Sequence, residues 1–290
     1  MPQTANPLKQ FFRQPAIYLR LPSEGRHWPN GSLNMPDNKE LPVFPMTAID
    51  EITYRTPDAV FNGQAVVNVI QSCVPNIKDA WVVPGVDLNA VLIGIRIASY
   101  GHEMEINTKC PNCGTESDFT VDLRMILDRI KEPNYAKTIR QGDLEVSVIP
   151  ISYRHQNEAN LKQFEQQRAI QQIQSDPNLT DDEKIAELNK ALHKITELTI
   201  ETLKYSIGSI RTPNTLVTDI DHIHEFLINC DRKFYQEIRD HMIDLRTSTD
   251  IQPFDMTCPE CNHQWAQQLT LDQAAFFGRS EEHTSELQSH

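Results

Sequence analysis

The chain has 290 residues, of which 39% are hydrophobic and 23% are charged, and it carries a formal net charge of -13. This composition predicts a folded protein with one large domain or two modest ones. The negative charge argues against binding of nucleic acid, which requires a basic surface. No apolar run is long enough to cross a bilayer, and residues 1–25 contain no stretch like a signal peptide, so we expect no membrane association and a reducing cytoplasm.

The first 45 residues differ in composition from those that follow. They are rich in Pro and Asn and contain one strand candidate, residues 16–21, so we predict an extended N-terminal arm with little core of its own. Residues 46–151 are predicted to form a helical core with a cysteine turn and a β-hairpin. Its helices are predicted over residues 47–55, from 62 onward, over 87–100 and over 122–131, and its β-hairpin over 138–140 and 144–151.

A long polar helical hairpin is predicted as an insertion over residues 152–212. Its two helices, 153–175 and 180–207, are rich in Gln, Glu and Lys, and Thr180 and Glu183 have the spacing of a capping box. Five residues of the second helix follow heptad spacing, which is typical of a coiled coil: Ile185, Leu188, Leu192, Ile195 and Thr199. Two interpretations stay open, because the hairpin could pack only on itself or could offer a surface to a partner protein.

Four of the six cysteines occur in two CPxC turns, residues 110–113 and 258–261. Each turn is flanked by segments that are typical of a β-hairpin, and the second follows two predicted helices within residues 213–278 (219–230 and 231–246). Two thiolates that are separated by two residues can point at one centre, and two such turns complete a tetrahedron around zinc. The ligands of a single zinc ion are therefore predicted to be Cys110, Cys113, Cys258 and Cys261.

The predicted fold class is α+β and mainly helical, with a zinc ribbon built from two distant hairpins. A zinc ion with four cysteine ligands has no open position, so its role would be structural. Disulfides within or between the two turns are the alternative, and the sequence disfavours them because nothing marks the chain as secreted.

The last twelve residues, 279–290, resemble the translation of a common short-read sequencing adapter. We therefore predict that they are an artefact and disordered, and we exclude them from the fold.

The sequence offers little catalytic chemistry. His102-Glu103 and His224-Glu225 begin like a zinc-protease helix, but isoleucine stands where each second histidine would be needed. No phosphate-binding glycine loop, nucleophile elbow or dinucleotide fingerprint is present. Cys73 and Cys230 are expected to be plain core or boundary thiols, and His263 is expected to lie outside the ligand set. We predict a protein that is not an enzyme and has no small-molecule substrate.

Several short stretches carry a family resemblance: ELPVFPMT (40–47), RTPD (55–58), VIQSCVPNI (69–77), TVDL (120–123) and, more weakly, QAAFF (273–277). With these stretches the chain resembles the baseplate hub assembly proteins of T-even-type tailed phages, most strongly over residues 16–125. The resemblance implies a role in building the contractile tail, with other baseplate hub proteins as partners. It also implies action in the host cytoplasm during assembly, with the tail baseplate of the virion as a further location.

The alternative function is a nucleic-acid-associated zinc-ribbon protein, such as an accessory factor of transcription. That function predicts clustered Lys and Arg residues beside the cysteine turns. Lys109 is the one basic residue close to the first turn, and none is close to the second.

Overall fold

The computed structural model describes residues 6–54, 63–177 and 179–267, and the fold is α+β as predicted. The described α-helices are α1 (Ala48–Tyr54), α2 (Gln64–Cys73), α3 (Gly85–Tyr100), α4 (Leu123–Arg129), α5 (Tyr153–Ser175), α6 (Asp181–Leu203), α7 (Ile220–Asn229) and α8 (Arg232–Thr249). The described strands are β1 (Ile17–Leu19), β2 (Leu41–Val43), β3 (Glu103–Lys109), β4 (Glu116–Asp122), β5 (Ile139–Gln141), β6 (Leu144–Val148), β7 (Ile207–Arg211), β8 (Leu216–Val217), β9 (Phe254–Thr257) and β10 (Gln264–Gln267). None of the described helices is long and apolar enough to cross a membrane. The predicted tail, 279–290, lies outside the described residues.

Helix α3 is the centre of the larger hydrophobic core. Ten of its 16 residues are buried, and they lie on all sides of the helix, as expected for a helix that is enclosed by other elements. Helices α2 and α4 contact it directly, and α1 packs on α2. The helix ends at Gly101 as predicted, where φ is 89° and the backbone N–H bonds to the carbonyl of Ile97.

The N-terminal region, predicted as an extended arm with little core of its own, contributes buried residues to this larger core. Strands β1 and β2 pair antiparallel, and the opposed residues Leu19 and Leu41 are 1% and 0% exposed. Gly94 leaves room for the close approach of β1 to α3, since a Cβ at that position would lie 3.3 Å from Cδ2 of Leu19, a tight contact. The arm is therefore a small two-stranded cover over the central helix.

A buried carboxylate fastens this cover to the core. Asp87, in the first turn of α3, is 0% exposed. It accepts hydrogen bonds from the backbone N–H and the hydroxyl of Ser23, and from the indole N–H of Trp28. The carboxylate thus satisfies three donors of the N-terminal region inside the protein.

The helical hairpin is inserted into a four-stranded antiparallel sheet of order β5-β6-β7-β8. Helices α5 and α6 form the connection between the neighbouring strands β6 and β7. Helix α6 ends at Leu203, earlier than predicted, and the residues after the short 3-10 turn Lys204–Ser206 form β7. The last part of the predicted insertion is therefore sheet. The predicted division into domains stays a prediction.

Helices α7 and α8 cover this sheet and form a second, smaller core with it. Its buried residues are Val146, Leu203, Ile207, Ile210, Ile223, Leu227, Phe234 and Ile238. The fold thus has two packed bodies, and the cysteine turns lie in the parts of the chain on either side of the second body.

The hairpin begins as predicted but packs differently from a heptad coiled coil. Helix α6 starts with the capping box of Thr180 and Glu183. The heptad residues Ile185 and Leu192 are 57% and 55% exposed, whereas Ala191 is buried. The heptad prediction is therefore wrong at these positions. The small Ala191 side chain suits a close approach of two helices, which a larger side chain would prevent.

Candidate metal centre

Each cysteine pair lies in the turn of a β-hairpin, as predicted. Strands β3 and β4 pair over seven residues, up to the pair Lys109–Glu116, and the first turn follows directly. Strands β9 and β10 pair up to Thr257–Gln264, and the second turn follows in the same way. The strand pairing therefore fixes the position of both turns.

The two turns have the same backbone geometry. In the first turn, the backbone N–H of Cys110 donates to the carbonyl of Thr115 and that of Gly114 donates to the carbonyl of Cys110, both at 2.9 Å. In the second turn, the N–H of Cys258 donates to the carbonyl of His263 at 2.9 Å, and that of Asn262 donates to the carbonyl of Cys258 at 3.0 Å. In each turn the residue after the second cysteine has a positive φ: 75° at Gly114 and 55° at Asn262. Glycine and asparagine are the residues that adopt this conformation most readily.

The two hairpins are held together by packing as well as by the cysteines. Phe119 and Trp265 meet edge to face, with ring centroids 5.9 Å apart, and the hydroxyl of Thr108 donates to Oε1 of Gln267 at 2.8 Å. Trp265 and Phe254 also pack against the larger core. The aromatic residues around the second turn therefore support the ribbon by packing.

The structure brings all four predicted ligands together. Sγ of Cys110 lies 3.7 Å from Sγ of Cys261, and Sγ of Cys113 lies 3.6 Å from Sγ of Cys258. All four sulfur atoms are within 4.8 Å of one another, so the group could hold a metal ion. Cys110 and Cys258 are buried, while Cys113 is exposed and Cys261 is half-buried.

These distances fit an all-thiolate tetrahedron better than disulfides. A Zn–S bond of about 2.3 Å gives sulfur atoms that are about 3.8 Å apart in a regular tetrahedron. A disulfide requires a sulfur–sulfur distance of about 2.0 Å. All six cysteines of the chain are free, and the close sulfur pairs join different turns.

The surroundings of two sulfur atoms favour the thiolate form that a metal ion needs. Hydrogen bonds with the hydroxyl and backbone of Thr115 lower the pKa of Cys113 to about 6. The side-chain amide of Asn112 donates to Sγ of Cys261 at 3.5 Å and lowers the pKa of that thiol. Spacing alone predicted the cysteines but not Asn112 and Thr115, which have no recognisable pattern of their own.

The fourth sulfur behaves differently from these two. The backbone N–H of Cys261 favours the thiolate of Cys258, but burial and sharing of protons with Cys113 and Cys261 outweigh it, and the pKa of Cys258 is raised to about 11. Cys258 therefore holds its proton more tightly than an ordinary thiol, and a metal ion that binds its thiolate must displace that proton.

The other candidate residues lie away from this group. His263 is exposed and stacks on Trp265, with ring centroids 6.4 Å apart, outside the ligand set as expected. Cys73 is buried in α2, where burial raises the pKa of its thiol to about 12. Cys230 is half-buried at the end of α7. Their positions confirm the prediction of core and boundary thiols.

The sequence was also compared with known proteins. No curated protein and no solved structure matches the chain. A protein-family model does match, and it spans residues 32–278, which include both cysteine turns and the helical hairpin between them. Since this match covers well over half of the chain, the protein belongs to the family described as the T4 bacteriophage base plate protein.

Proposed function

We propose that this protein acts in the assembly of the central hub of the phage baseplate, as a scaffold without enzymatic activity that binds other hub proteins. The family match over residues 32–278 carries this proposal, because it places the chain among phage baseplate proteins. The site of action would be the host cytoplasm, where the hub is built before it becomes part of the virion tail.

A structural zinc ion is the second part of the proposal. Four thiols from two distant hairpins meet at distances that suit zinc, and they leave no position for a substrate. Zinc in this site would join residues 110–113 to residues 258–261 and so hold the ribbon closed. Its role would be to keep the scaffold rigid.

Two elements expose large apolar side chains that could bind partner proteins. Leu8, Phe11 and Phe12 of the N-terminal segment are 60%, 75% and 55% exposed. On the helical hairpin, Phe164, Ile185 and Leu192 are 48%, 57% and 55% exposed. Exposed apolar residues of this size are typical of protein contact surfaces when they cluster. The hairpin or the N-terminal segment would accordingly engage the hub proteins.

The ribbon surface does not favour the alternative of a nucleic-acid-associated protein. The exposed face of the β3–β4 hairpin carries Glu103, Glu105, Glu116 and Asp118. These acids would repel a polyanion, and a basic face is what binding to nucleic acid requires.

Native mass spectrometry of the full chain tests the metal site. We expect one zinc ion per chain, and its loss when Cys110 and Cys113, or Cys258 and Cys261, are replaced by serine. Replacement of Cys73 and Cys230 by serine is the matched control and should leave the zinc in place. Zinc that remains after the loss of one turn would show that the two turns do not share a site.

Co-purification with baseplate hub proteins that are expressed together with this chain tests the partner role. Replacement of residues 164–192 by a short Gly-Ser linker removes Phe164, Ile185 and Leu192, keeps the start of α5 and the end of α6, and leaves the strands β6 and β7 untouched. If the hairpin is the contact, a hub protein that co-purifies with the full chain is lost from this variant. Equal recovery would exclude the hairpin, and absence of any hub protein from both would contradict the proposed function.

A further inference from the structure

Two uncharged stripes of exposed residues run along the helical hairpin, one on each helix. In each stripe the residues follow one another at steps of four and three, which is the spacing of one face of a helix. Neither stripe contains a charged residue, although the chain carries a net charge of -13. The stripe of α5 consists of Asn160, Phe164, Gln167, Gln171 and Gln174, and that of α6 consists of Ile185, Asn189, Leu192, Thr196 and Thr199.

Both stripes lie on the same side of the hairpin, because they open onto one groove. Asn160 of α5 and Thr199 of α6 line this groove, which has a volume of about 410 Å³ and separates the base of the hairpin from α8. We call the surface formed by the two stripes the hairpin face. Several charged residues of the two helices lie on the side away from it: Glu158, Glu165, Lys190, Lys194 and Glu197.

The groove extends the hairpin face without adding a net charge to it. Arg239, which lines the groove, is paired with Asp240 at 2.8 Å. Arg246 and Asp250 also line it and have opposite signs. The surface therefore selects neither an acidic nor a basic occupant. A charged side chain that became buried against the two stripes would lack a counter-charge, which is costly.

The shape of the hairpin face suits one further helix. The stripes of the two antiparallel helices flank a trough that is about 21 Å long, or about four helical turns. At its base the trough continues into the groove, whose apolar lining includes Met242 and Ile243 of α8. Because α8 stands on the same side near the base, two copies of the chain could not lay these faces flat against each other. A single helix, in contrast, can enter along the trough.

We propose that the hairpin face binds one amphipathic helix of a baseplate hub protein, with an uncharged contact stripe about four turns long. Apolar side chains of that helix cover Phe164, Ile185 and Leu192, and its polar groups bond to the carboxamides of the two stripes. This inference rests on the proposed function, since a hub protein supplies the helix. It adds the side of the hairpin that is used and the chemistry of the partner segment.

Photocrosslinking of the full chain, expressed together with the baseplate hub proteins, tests this proposal. Benzoylphenylalanine in place of Gln167 should crosslink to a helical segment of a hub protein whose contact stripe is uncharged, as mapped by mass spectrometry. The same probe in place of Lys194, on the other side of the hairpin, should give no crosslink to that segment. Crosslinks from position 167 to a charged helix, to a loop or to a second copy of this chain would overturn the inference.

A pair of matched variants tests whether the neutral face is required. Leu192→Glu puts a carboxylate into it and should lower the recovery of the hub protein at least about tenfold, because the charge would be buried without a partner. Ala186→Glu adds the same charge at an exposed position of α6 outside the stripe and should leave the recovery unchanged. Equal recovery with both variants would overturn the inference and leave the proposed function standing. Absence of any hub protein, even with the unmodified chain, would contradict the proposed function and this inference with it.

Discussion

Gly114 and Asn262 occupy the same place in the two cysteine turns and share a left-handed backbone conformation. At this position the chain reverses direction so that it can pair again after the two cysteines. Asparagine tolerates this conformation at a small cost and glycine at none, which explains why the two turns can differ in sequence and still have the same shape.

Gly114→Ala should therefore weaken metal binding through the backbone alone. An added Cβ at Gly114 would meet only Cε of Lys109, at 3.6 Å, so no steric clash contributes. The left-handed conformation costs an L-residue about 1–2 kcal/mol, which corresponds to a loss of zinc affinity of roughly tenfold. Competition with a zinc chelator measures this loss.

Gly142→Ala is the control for that measurement. Gly142 also has a positive φ, with no atom within 4 Å of an added Cβ, and it lies in the β5–β6 turn. It should lower the free energy of unfolding by a similar amount and leave zinc affinity unchanged. A matching loss of affinity in both variants would mean that global stability, and not the turn, sets the affinity.

Asp87 gives a second prediction, on the pH dependence of stability. Burial raises the pKa of this carboxyl, although its hydrogen bonds from Ser23 and Trp28 act in the opposite direction. The folded protein thus binds a proton at Asp87 more readily than the unfolded chain does. Between the ordinary pKa of aspartate, about 3.9, and the raised value, the stability contributed by this group falls as pH rises.

Asp87→Asn removes that dependence, and its amide also leaves buried donors of Ser23 or Trp28 unpaired. We expect the variant to be less stable than the parent protein, with a larger difference in the free energy of unfolding at about pH 5 than at about pH 8. Urea unfolding at both values measures it. Asp143→Asn, in an exposed turn, should give no such difference. A larger difference at the higher pH would contradict the assignment.

At the scale of residues, spacing was enough for the ligands but not for their support. Cys110, Cys113, Cys258 and Cys261 were predicted because the CPxC pattern depends only on local geometry. The sequence predicts Asp87 only as the first residue of the helix 87–100, since nothing local shows that Ser23 and Trp28 lie over it. Contacts between residues so far apart in the sequence produce no periodic pattern from which they could be predicted.

Among the elements, α6 shows how a helix can be predicted correctly and its buried face incorrectly. The capping box and the periodicity of apolar residues correctly predicted the helix and the residue at which it begins. The heptad pattern placed Leu192 at the contact, but tertiary packing uses the face that contains Ala191. Apolar residues on α6 exceed the number that can be covered, so hydrophobicity alone cannot identify the contacting ones.

Two neighbouring substitutions test this face directly. Ala191→Glu places a charge in a position that is 5% exposed and should lower the free energy of unfolding by about 2–3 kcal/mol. Leu192→Glu, at 55% exposure, should change it by less than about 0.5 kcal/mol. Circular dichroism during urea unfolding compares the two. The opposite order would restore the heptad prediction.

Strand β1 lies within the predicted strand 16–21, whereas β2, β7 and β8 were not predicted. Strand β2 is only three residues long, and β7 lies where the helix was predicted to continue and end. Short strands owe their stability to partners elsewhere in the chain, so their sequence carries little information about them.

At the scale of the whole molecule, the proposed zinc joins positions that are separated by about half of the chain. The second hairpin is nevertheless also held by Met256, which is 5% exposed, and by Trp265 and Phe254 on the larger core. Metal removal should therefore loosen the ribbon and leave both hydrophobic cores folded.

Chelation of the metal is expected to lower the melting temperature and to speed hydrogen exchange in residues 254–267. Exchange in β7, inside the second core, should change much less, because its partners β6 and β8 do not involve the cysteines. Hydrogen exchange with mass spectrometry resolves the two regions. Equal acceleration in both would show that the metal stabilises the whole fold as one unit.

The position of the second turn also has a consequence for the order of events in synthesis. Cys258 and Cys261 are among the last residues of the described chain to leave the ribosome, whereas Cys110 and Cys113 emerge early. Until the second turn is synthesised, only two of the four ligands are present. The four-sulfur site can form only after the helical hairpin and the second body have been made. A chain that terminates before Cys258 lacks two of the four sulfur ligands and cannot form the closed ribbon. Metal binding would therefore distinguish chains that contain both turns from truncated ones.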